Sequence, residues 1–259
     1  MPALQGVGVL VTRPEQQAMP LCRLLEIEGA STLRLPAVDI KAIGNWRDTA
    51  HQLGPFDKFD FIVFTSTNAV RFGASLLDQR RDLTLAAMGP ATARSLNQAG
   101  YRVAVQPQGN FDSESLLKDP RMEHLEGRRV LIIKGRSGRP FLETELTWRG
   151  AQVATAEVYE RTPTTPSQAV LAALLDNFTC GDVQVITATS VEIAENLLRV
   201  ATVQLRAEFA RAHWLVPGER IAAALRERGL SAPLLKAKSA QDHDLVAELV
   251  RWRSSVSGA

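Results

Sequence analysis

Ala156-Glu157-Val158-Tyr159-Glu160-Arg161-Thr162-Pro163 decides how the rest of the chain is read, because it has a partner 121 positions earlier in Leu35-Pro36-Ala37-Val38-Asp39-Ile40. Each stretch follows a helix-like segment that closes in Gly-Ala, Gly29-Ala30 and Gly150-Ala151. If the two pair as strands, they are the crossings between two lobes, and a ligand is expected beside them. Tyr159 is then expected to face the cleft there.

Outward from this pair, the same match continues. Val9-Leu10-Val11 aligns with Val130-Leu131-Ile132 at the offset of 121, as do Leu21 with Leu142 and Leu25 with Leu146. Residues 60–76 match 182–198 at an offset of 122, and 93–100 match 222–229 at 129, with Ser115-Leu116-Leu117 and Asp244-Leu245-Val246 at that last offset too. Three collinear blocks describe an internal duplication. The duplicated segments need not be the spatial domains. A chain that leaves a first lobe at Pro36 and returns at Pro163 makes lobes of residues 1–36 with 164–259 and of residues 38–162, with crossings near 36–40 and 156–163.

The local pattern is βαβ throughout. Val7-Gly8-Val9-Leu10-Val11 is a short apolar run followed by a helix stripe through Met19, Leu21, Cys22, Leu24, Leu25 and Ile27, with Gly29 as its stop. The construction recurs at Asp60-Phe61-Ile62-Val63-Phe64, at 83–88, at Arg129-Val130-Leu131-Ile132-Ile133-Lys134, at Val183-Gln184-Val185-Ile186-Thr187 and at His213-Trp214-Leu215-Val216. These buried runs alternating with helices predict an α/β fold of two parallel-sheet lobes joined by a two-stranded β ladder, the first lobe discontinuous. The last strand and helix fall at Leu234-Leu235 and from Asp242, and 254–259 is expected to be a loose tail.

Composition narrows the function classes. In 259 residues, 30 Lys and Arg against 28 Asp and Glu leave a formal charge of +2, too small a field to argue for nucleic acid. No apolar run approaches a membrane span and no export signal precedes Val7, so a cytoplasmic protein is expected. Cys22 and Cys180 have no ligand-like spacing and are expected to be core thiols, and His51, His124, His213 and His243 are scattered, so no metal site is expected. There is no dinucleotide glycine fingerprint, and Lys134-Gly135-Arg136-Ser137-Gly138 lacks phosphate-loop spacing, which disfavours a nucleotide cofactor.

What recurs instead is a strand that runs into a helix whose first turn is rich in Ser, Thr, Asn or Gly: Thr65-Ser66-Thr67-Asn68, Gly89 to Thr92, Gly135 to Gly138 with Ser137, Thr187 to Ser190 with Thr189, and Gly218 in Pro217-Gly218-Glu219-Arg220. Free N–H groups and the positive helix end at such turns bind carboxylates or phosphates, and open α/β sheets bind ligands at this edge. A polyanion suits them. Arg13, Lys134 and Arg136 stand just past strand ends and could add charge. Tyr159 is either a packed aromatic or a phenol that donates to a leaving hydroxyl, and residue chemistry alone leaves both open.

At these residues the chain resembles the uroporphyrinogen-III synthase family, through Val11-Thr12-Arg13-Pro14, Phe64-Thr65-Ser66-Thr67-Asn68-Ala69-Val70, Gly89-Pro90-Ala91-Thr92-Ala93, Glu114-Ser115-Leu116-Leu117 and Val158-Tyr159, in order across residues 7 to 249. The resemblance implies two lobes on a two-stranded ladder and a cofactor-free cyclisation of hydroxymethylbilane. Loss of the ring A hydroxyl gives an azafulvene, ring D attacks it through its substituted carbon to form a spiro intermediate, and recombination closes the ring with ring D inverted. It also implies that Tyr159 assists hydroxide departure. The implied partner is this small molecule alone, with no nucleic acid, no membrane and a monomeric state. Glu192 and Glu219, beside two of the candidate turns, depart from an anion-binding pattern. The competing class is a two-lobed, non-catalytic binding module for a polyanionic small molecule.

Overall fold

The computed structural model describes residues 2–77, 83–109 and 111–257. In chain order it runs β1 (Gly8–Val11), α1 (Glu15–Ile27), β2 (Ser31–Arg34), β3 (Val38–Ala42), α2 (Trp46–Gln52), β4 (Phe61–Phe64), α3 (Thr67–Gly73), β5 (Leu85–Ala87), α4 (Pro90–Gln98), β6 (Val103–Val105) and α5 (Ser113–Leu116). It continues as β7 (Arg129–Gly135), α6 (Phe141–Trp148), β8 (Gln152–Pro163), α7 (Gln168–Thr179), β9 (Val185–Thr187), α8 (Val191–Val200), α9 (Val203–Arg211), β10 (His213–Pro217), α10 (Glu219–Glu227), β11 (Leu234–Ala237) and α11 (Asp242–Ser257). Two sheets result, ordered β11-β10-β9-β1-β2 and β3-β8-β7-β4-β5-β6. The chain divides into two compact units, Met1–Asp39 with Thr162–Ala259, and Ile40–Arg161. The α/β class read from the sequence, with parallel sheets and a discontinuous first unit, is the class observed.

Alternation along each strand explains why these runs pair. In the first unit Leu10, Ile186 and Trp214 enter the core on one face of the sheet, while Val9, Val11, Val185 and Leu215 enter the core on the other. Trp214 is fully buried and its indole N–H donates to the Phe209 carbonyl at 2.8 Å, so its one polar atom is satisfied. In the second unit Ile62, Phe64, Leu131 and Ile133 share one core and Val63, Val130 and Ile132 the other. Gly8 starts β1 because nothing larger fits: a Cβ there would stand 1.6 Å from the Asp182 carbonyl oxygen.

The register repeats between the sheets. Val9 pairs with Thr32 as Val130 pairs with Val153, which reproduces the offset of 121. Phe61 pairs with Val130 as Val185 pairs with Val9, which sets the middle block at 124 rather than the 122 read from the sequence. A two-residue slip leaves the inward and outward faces of a strand unchanged, so the apolar pattern could not detect it. Leu85 pairs with Ile62 as Trp214 pairs with Ile186, in line with the offset of 129.

All these pairings are parallel. β3 is the exception beside β8: the Ile43 N–H donates to Val158 and the Thr164 N–H to Ala37, both at 3.3 Å, so the partners run in opposite directions. Three expectations need correction. Residues 254–257 continue α11 instead of forming a tail, with Leu245 and Leu249 fully buried on that helix, and 258–259 lie outside the described residues. Cys22 is buried, but Cys180, the C-cap of α7, is exposed. Helices α2 and α9 were not read from the sequence. No helix among the described residues is long and apolar enough to cross a membrane.

Candidate functional site

In a parallel sheet the turns that follow the strands collect at one edge. In the second unit the turns after β4, β5 and β7 bring Thr65 and Ser66, Gly89, and Lys134 to Ser137 to the carboxyl edge, and Tyr159 lies there on β8, opposite Gly135. Tyr159 is packed within its own unit and 9% exposed. Its ring stacks on Phe72 at 5.9 Å between centroids, and its backbone carbonyl accepts from the Arg136 N–H at 2.8 Å. The register between β7 and β8 shifts at Lys134 and Gly135, and a Cβ on Gly135 would stand 2.5 Å from the Tyr159 Cζ. Gly135 therefore makes room for the phenol ring and is not a phosphate-loop glycine.

The Tyr159 hydroxyl lies 3.0 Å from Ser66 Oγ. Ser66 is the N-cap of α3, and the same Oγ accepts the Ala69 N–H at 3.0 Å. The cap thus fixes the serine, and the serine fixes the phenol. Thr65 is turned inward, with Oγ1 3.4 Å from the Ile133 carbonyl. Thr67 and Asn68 open α3 and are half-buried. Gly89 caps α4 with no side-chain bond, and Pro90 at the first helical position has no N–H, so the N–H groups that open α4 are those of Ala91 and Thr92. Ser137 is exposed with φ of 70°, the left-handed region.

The first unit has the matching edge, after β1, β9 and β10. Ser190 caps α8 by accepting the Ile193 N–H at 3.2 Å, which makes it the structural counterpart of Ser66. Gly218, at φ of 78°, caps α10 as Gly89 caps α4, again with no side-chain bond. Arg13, Gln16, Gln17, Pro20, Thr189, Ala240 and Asp242 line a cavity of about 420 Å³. Beneath them two buried threonines bind each other's strands: Thr12 Oγ1–H donates to the Thr187 carbonyl, and Thr187 Oγ1 accepts the Thr12 N–H at 3.2 Å. Residue spacing could not have revealed that pair, whose members are 175 positions apart.

The three basic residues expected to hold an anion are all bonded to groups of the protein itself, Arg136 at the surface. Arg13 is buried, bonded to the Asp242 carboxylate and the Ala240 carbonyl, which ties the end of β1 to the start of α11. Lys134 pairs with Glu143. Arg136 reaches Glu160 at 2.8 Å and Glu157 at 3.4 Å. A helix N-terminus needs no such cation, so the backbone N–H groups are the freer anion receivers of the two. Glu219 is an exposed carboxylate held below its usual range by hydrogen bonds from Lys236 and Arg226, so its charge is compensated at the surface. Among the described residues no group of three or more His, Cys, Asp and Glu side chains is arranged to hold a metal.

Comparison with known proteins adds a source for this arrangement. A family model described as uroporphyrinogen-III synthase HemD matches residues 20–246. The chain is 29% identical over 234 residues to the uroporphyrinogen-III synthase of Escherichia coli K12, covering 86% of this chain and 92% of that one. It is 30% identical over 201 residues to a putative uroporphyrinogen-III synthase of Methanothermobacter thermautotrophicus, covering 74% and 76%. In fold it is similar to a mutant uroporphyrinogen III synthase of the extremely thermophilic bacterium Thermus thermophilus, with a TM-score of 0.59, 22% identity and coverage of 98% and 100%. It is also similar to the uroporphyrinogen-III synthetase of Helicobacter pylori 26695, with a TM-score of 0.60, 16% identity and coverage of 95% and 99%.

Proposed function

The chain belongs to the uroporphyrinogen-III synthase family, and from that premise we propose that it cyclises hydroxymethylbilane to uroporphyrinogen III with inversion of ring D and net loss of one water. The match over residues 20–246 carries this conclusion. The geometry of the second unit supports it through a phenol, Tyr159, held by Ser66 at the sheet edge where α4 opens with no side-chain cap.

Each pyrrole of the substrate carries an acetate and a propionate, so binding is a problem of receiving many carboxylates. Ser66, Thr67, Asn68 and Gly89 in one unit, and Thr189, Ser190 and Gly218 in the other, are the proposed receivers, with Thr65, Gly135 and Ser137 shaping the turns. Arg13, Lys134 and Arg136 would reach a substrate carboxylate only by exchanging the carboxylate each now holds. No cofactor is required. The pyrrole nitrogen of ring A supplies the electron pair that expels the hydroxyl as the azafulvene forms, and a proton delivered to that hydroxyl lets it leave as water. Tyr159 is the proposed donor. With the Ser66 hydroxyl donating to the phenol oxygen, the phenolic proton is left for the substrate. The reaction is otherwise one of positioning, in which attack through the substituted carbon of ring D must outrun the spontaneous closure.

A cytoplasmic monomer is the proposed working form, acting on this small molecule without nucleic acid or membrane. The test is to supply hydroxymethylbilane and separate the porphyrinogen isomers formed. Isomer III at an accelerated rate is expected. Isomer I at the spontaneous rate overturns the synthase assignment, and tight binding of the substrate without turnover would favour a binding module.

A further inference from the structure

The two carboxyl edges have one construction but carry unlike side chains. The offset of 129 that matches Gly89 with Gly218 also matches Phe111 with Ala240, each just ahead of a helix, α5 in one unit and α11 in the other. In the first unit the small Ala240 lines the cavity beside Arg13, and a Cβ on Gly218 would meet nothing within 4 Å. In the second unit a phenyl ring stands there instead. A Cβ on Gly89 would lie 3.1 Å from Phe111 Cβ and 3.5 Å from its Cγ, so the ring is seated against the N-cap of α4.

The seat is fixed from both sides. Asp112, the next residue, caps α5 by accepting the Ser115 N–H at 2.8 Å, and Leu116 on that helix is fully buried. Yet Phe111 remains 54% exposed. Single exposed apolar residues are ordinary on a protein surface. Trp148, 83% exposed at the last residue of α6, is one, since α6 starts at the carboxyl edge and ends away from it. Phe111 differs in that a glycine clears space behind it, a cap anchors it, and it lies in the turn after β6 at the edge where ligands of such sheets bind.

We propose that Phe111 is a substrate-stacking residue: its open face packs against one pyrrole ring of hydroxymethylbilane. This inference rests on the synthase assignment and deepens it. The methylene bridges of a linear tetrapyrrole rotate freely, so closure through the right carbon of ring D requires rings as well as carboxylates to be held. An aromatic platform holds a π-ring in an offset stack while leaving its carboxylates to the N–H groups nearby. The first unit has no such platform, since alanine stands at the equivalent position.

The experiment compares wild type, Phe111→Ala, Phe111→Leu, Phe111→Tyr and Trp148→Ala with hydroxymethylbilane as substrate, reading KM, kcat, the ratio of isomer III to isomer I, and the melting temperature. Phe111→Ala and Phe111→Leu should raise KM by about tenfold, the order expected of one ring stacked on one aromatic side chain, and should shift product toward isomer I. Phe111→Tyr should retain wild-type KM, and Trp148→Ala should match wild type. Leucine keeps an apolar contact with Gly89, so it separates stacking from simple packing if the alanine variant is unstable. A leucine variant within about twofold of wild type in KM overturns the proposal, as does a tyrosine variant as impaired as alanine. If wild type itself forms only isomer I, the synthase assignment fails before any variant is compared.

Discussion

Removing one oxygen atom tests the proposed chemistry most directly. Tyr159→Phe keeps the ring that stacks on Phe72 and fills the space left by Gly135, and deletes only the hydroxyl 3.0 Å from Ser66 Oγ. Ser66 still accepts the Ala69 N–H, so no capping group is orphaned. The loss of one neutral hydrogen bond costs about 1 kcal/mol of stability, which leaves a domain of ordinary stability folded. The rate effect should be larger. General acid assistance is worth about 10²- to 10⁴-fold, and because the ring A nitrogen already drives hydroxide out, the lower end applies: kcat should fall about a hundredfold, or about 2.7 kcal/mol of activation free energy. KM should hold and isomer III should remain the product, because the receiving turns are untouched. Initial rates with hydroxymethylbilane, followed by oxidation and chromatographic separation of the porphyrins, read all three quantities. Gly135→Ala is the companion variant, since its Cβ would stand 2.5 Å from the phenol ring and displace it. It should lose as much kcat as Tyr159→Phe and more stability. A Tyr159→Phe enzyme with kcat within about twofold of wild type, beside an impaired Gly135→Ala, would refute the donor role and leave Tyr159 a packed aromatic.

Arg13→Ala should destabilise the first unit by about 3 kcal/mol, since it strands the Asp242 carboxylate and the Ala240 carbonyl at the start of α11. Urea unfolding measures it, and Asp242→Asn in the same background should add little, because the two belong to one pair. Stability should also fall in mild acid through His213, whose ring lies 4.7 Å from Trp252 and whose burial holds its pKa below 6.5. The folded state keeps this imidazole neutral while the unfolded chain takes up a proton. Unfolding free energy is therefore full above pH 6.5 and declines as pH drops toward the lower folded pKa. Urea midpoints measured across that range should fall for wild type and fall less for His213→Gln.

Much of the fold was legible because the physics that makes it is local. Strands such as Val9-Leu10-Val11 are apolar because both faces of a parallel sheet are covered, and Ser66, Gly89, Ser190 and Gly218 announce helix starts because only a few residues cap well. What was missed lacks that local mark. Helix α9 has two buried residues, Leu205 and Phe209, and opens with Val203 82% exposed, so its stripe is faint. The engagement of Arg13 with Asp242 joins residues 229 apart, and a lone basic residue past a strand end looks the same whether it faces a ligand or an internal carboxylate. The seat of Tyr159 required knowing that Gly135 pairs opposite it, across a register shift that no composition encodes.

The stretch from Gln152 to Pro163 ties these observations together. Shifted back by 121, it covers the start of β2 to the end of β3, so one uninterrupted strand in the second repeat corresponds to two in the first. The interruption falls at Pro36, where the second repeat has Glu157. Pro36 sits where the N–H would point away from β1, so bonds to the first strand run past it, from the Leu35 N–H to Val11 and from the Ala37 N–H to Thr12, both at 3.0 Å, before the chain continues as β3 in the other sheet. In the second repeat the strand stays whole: β8 pairs with β7 from Gln152 to Tyr159, and antiparallel bonds run from Ile43 to Val158 and from Thr164 to Ala37. Each sheet is consequently assembled from both repeats, β1 and β2 with β9 to β11, and β4 to β6 with β7 and β8. The same shift places Tyr159 opposite Val38 in the alignment. The phenol therefore has no counterpart in the first repeat, just as Phe111 is matched by alanine, and a duplicated scaffold presents two unlike edges. Under the proposed function, such unlike edges give four rings that carry the same pair of acidic chains unequal surroundings, the condition for treating one ring differently from the rest.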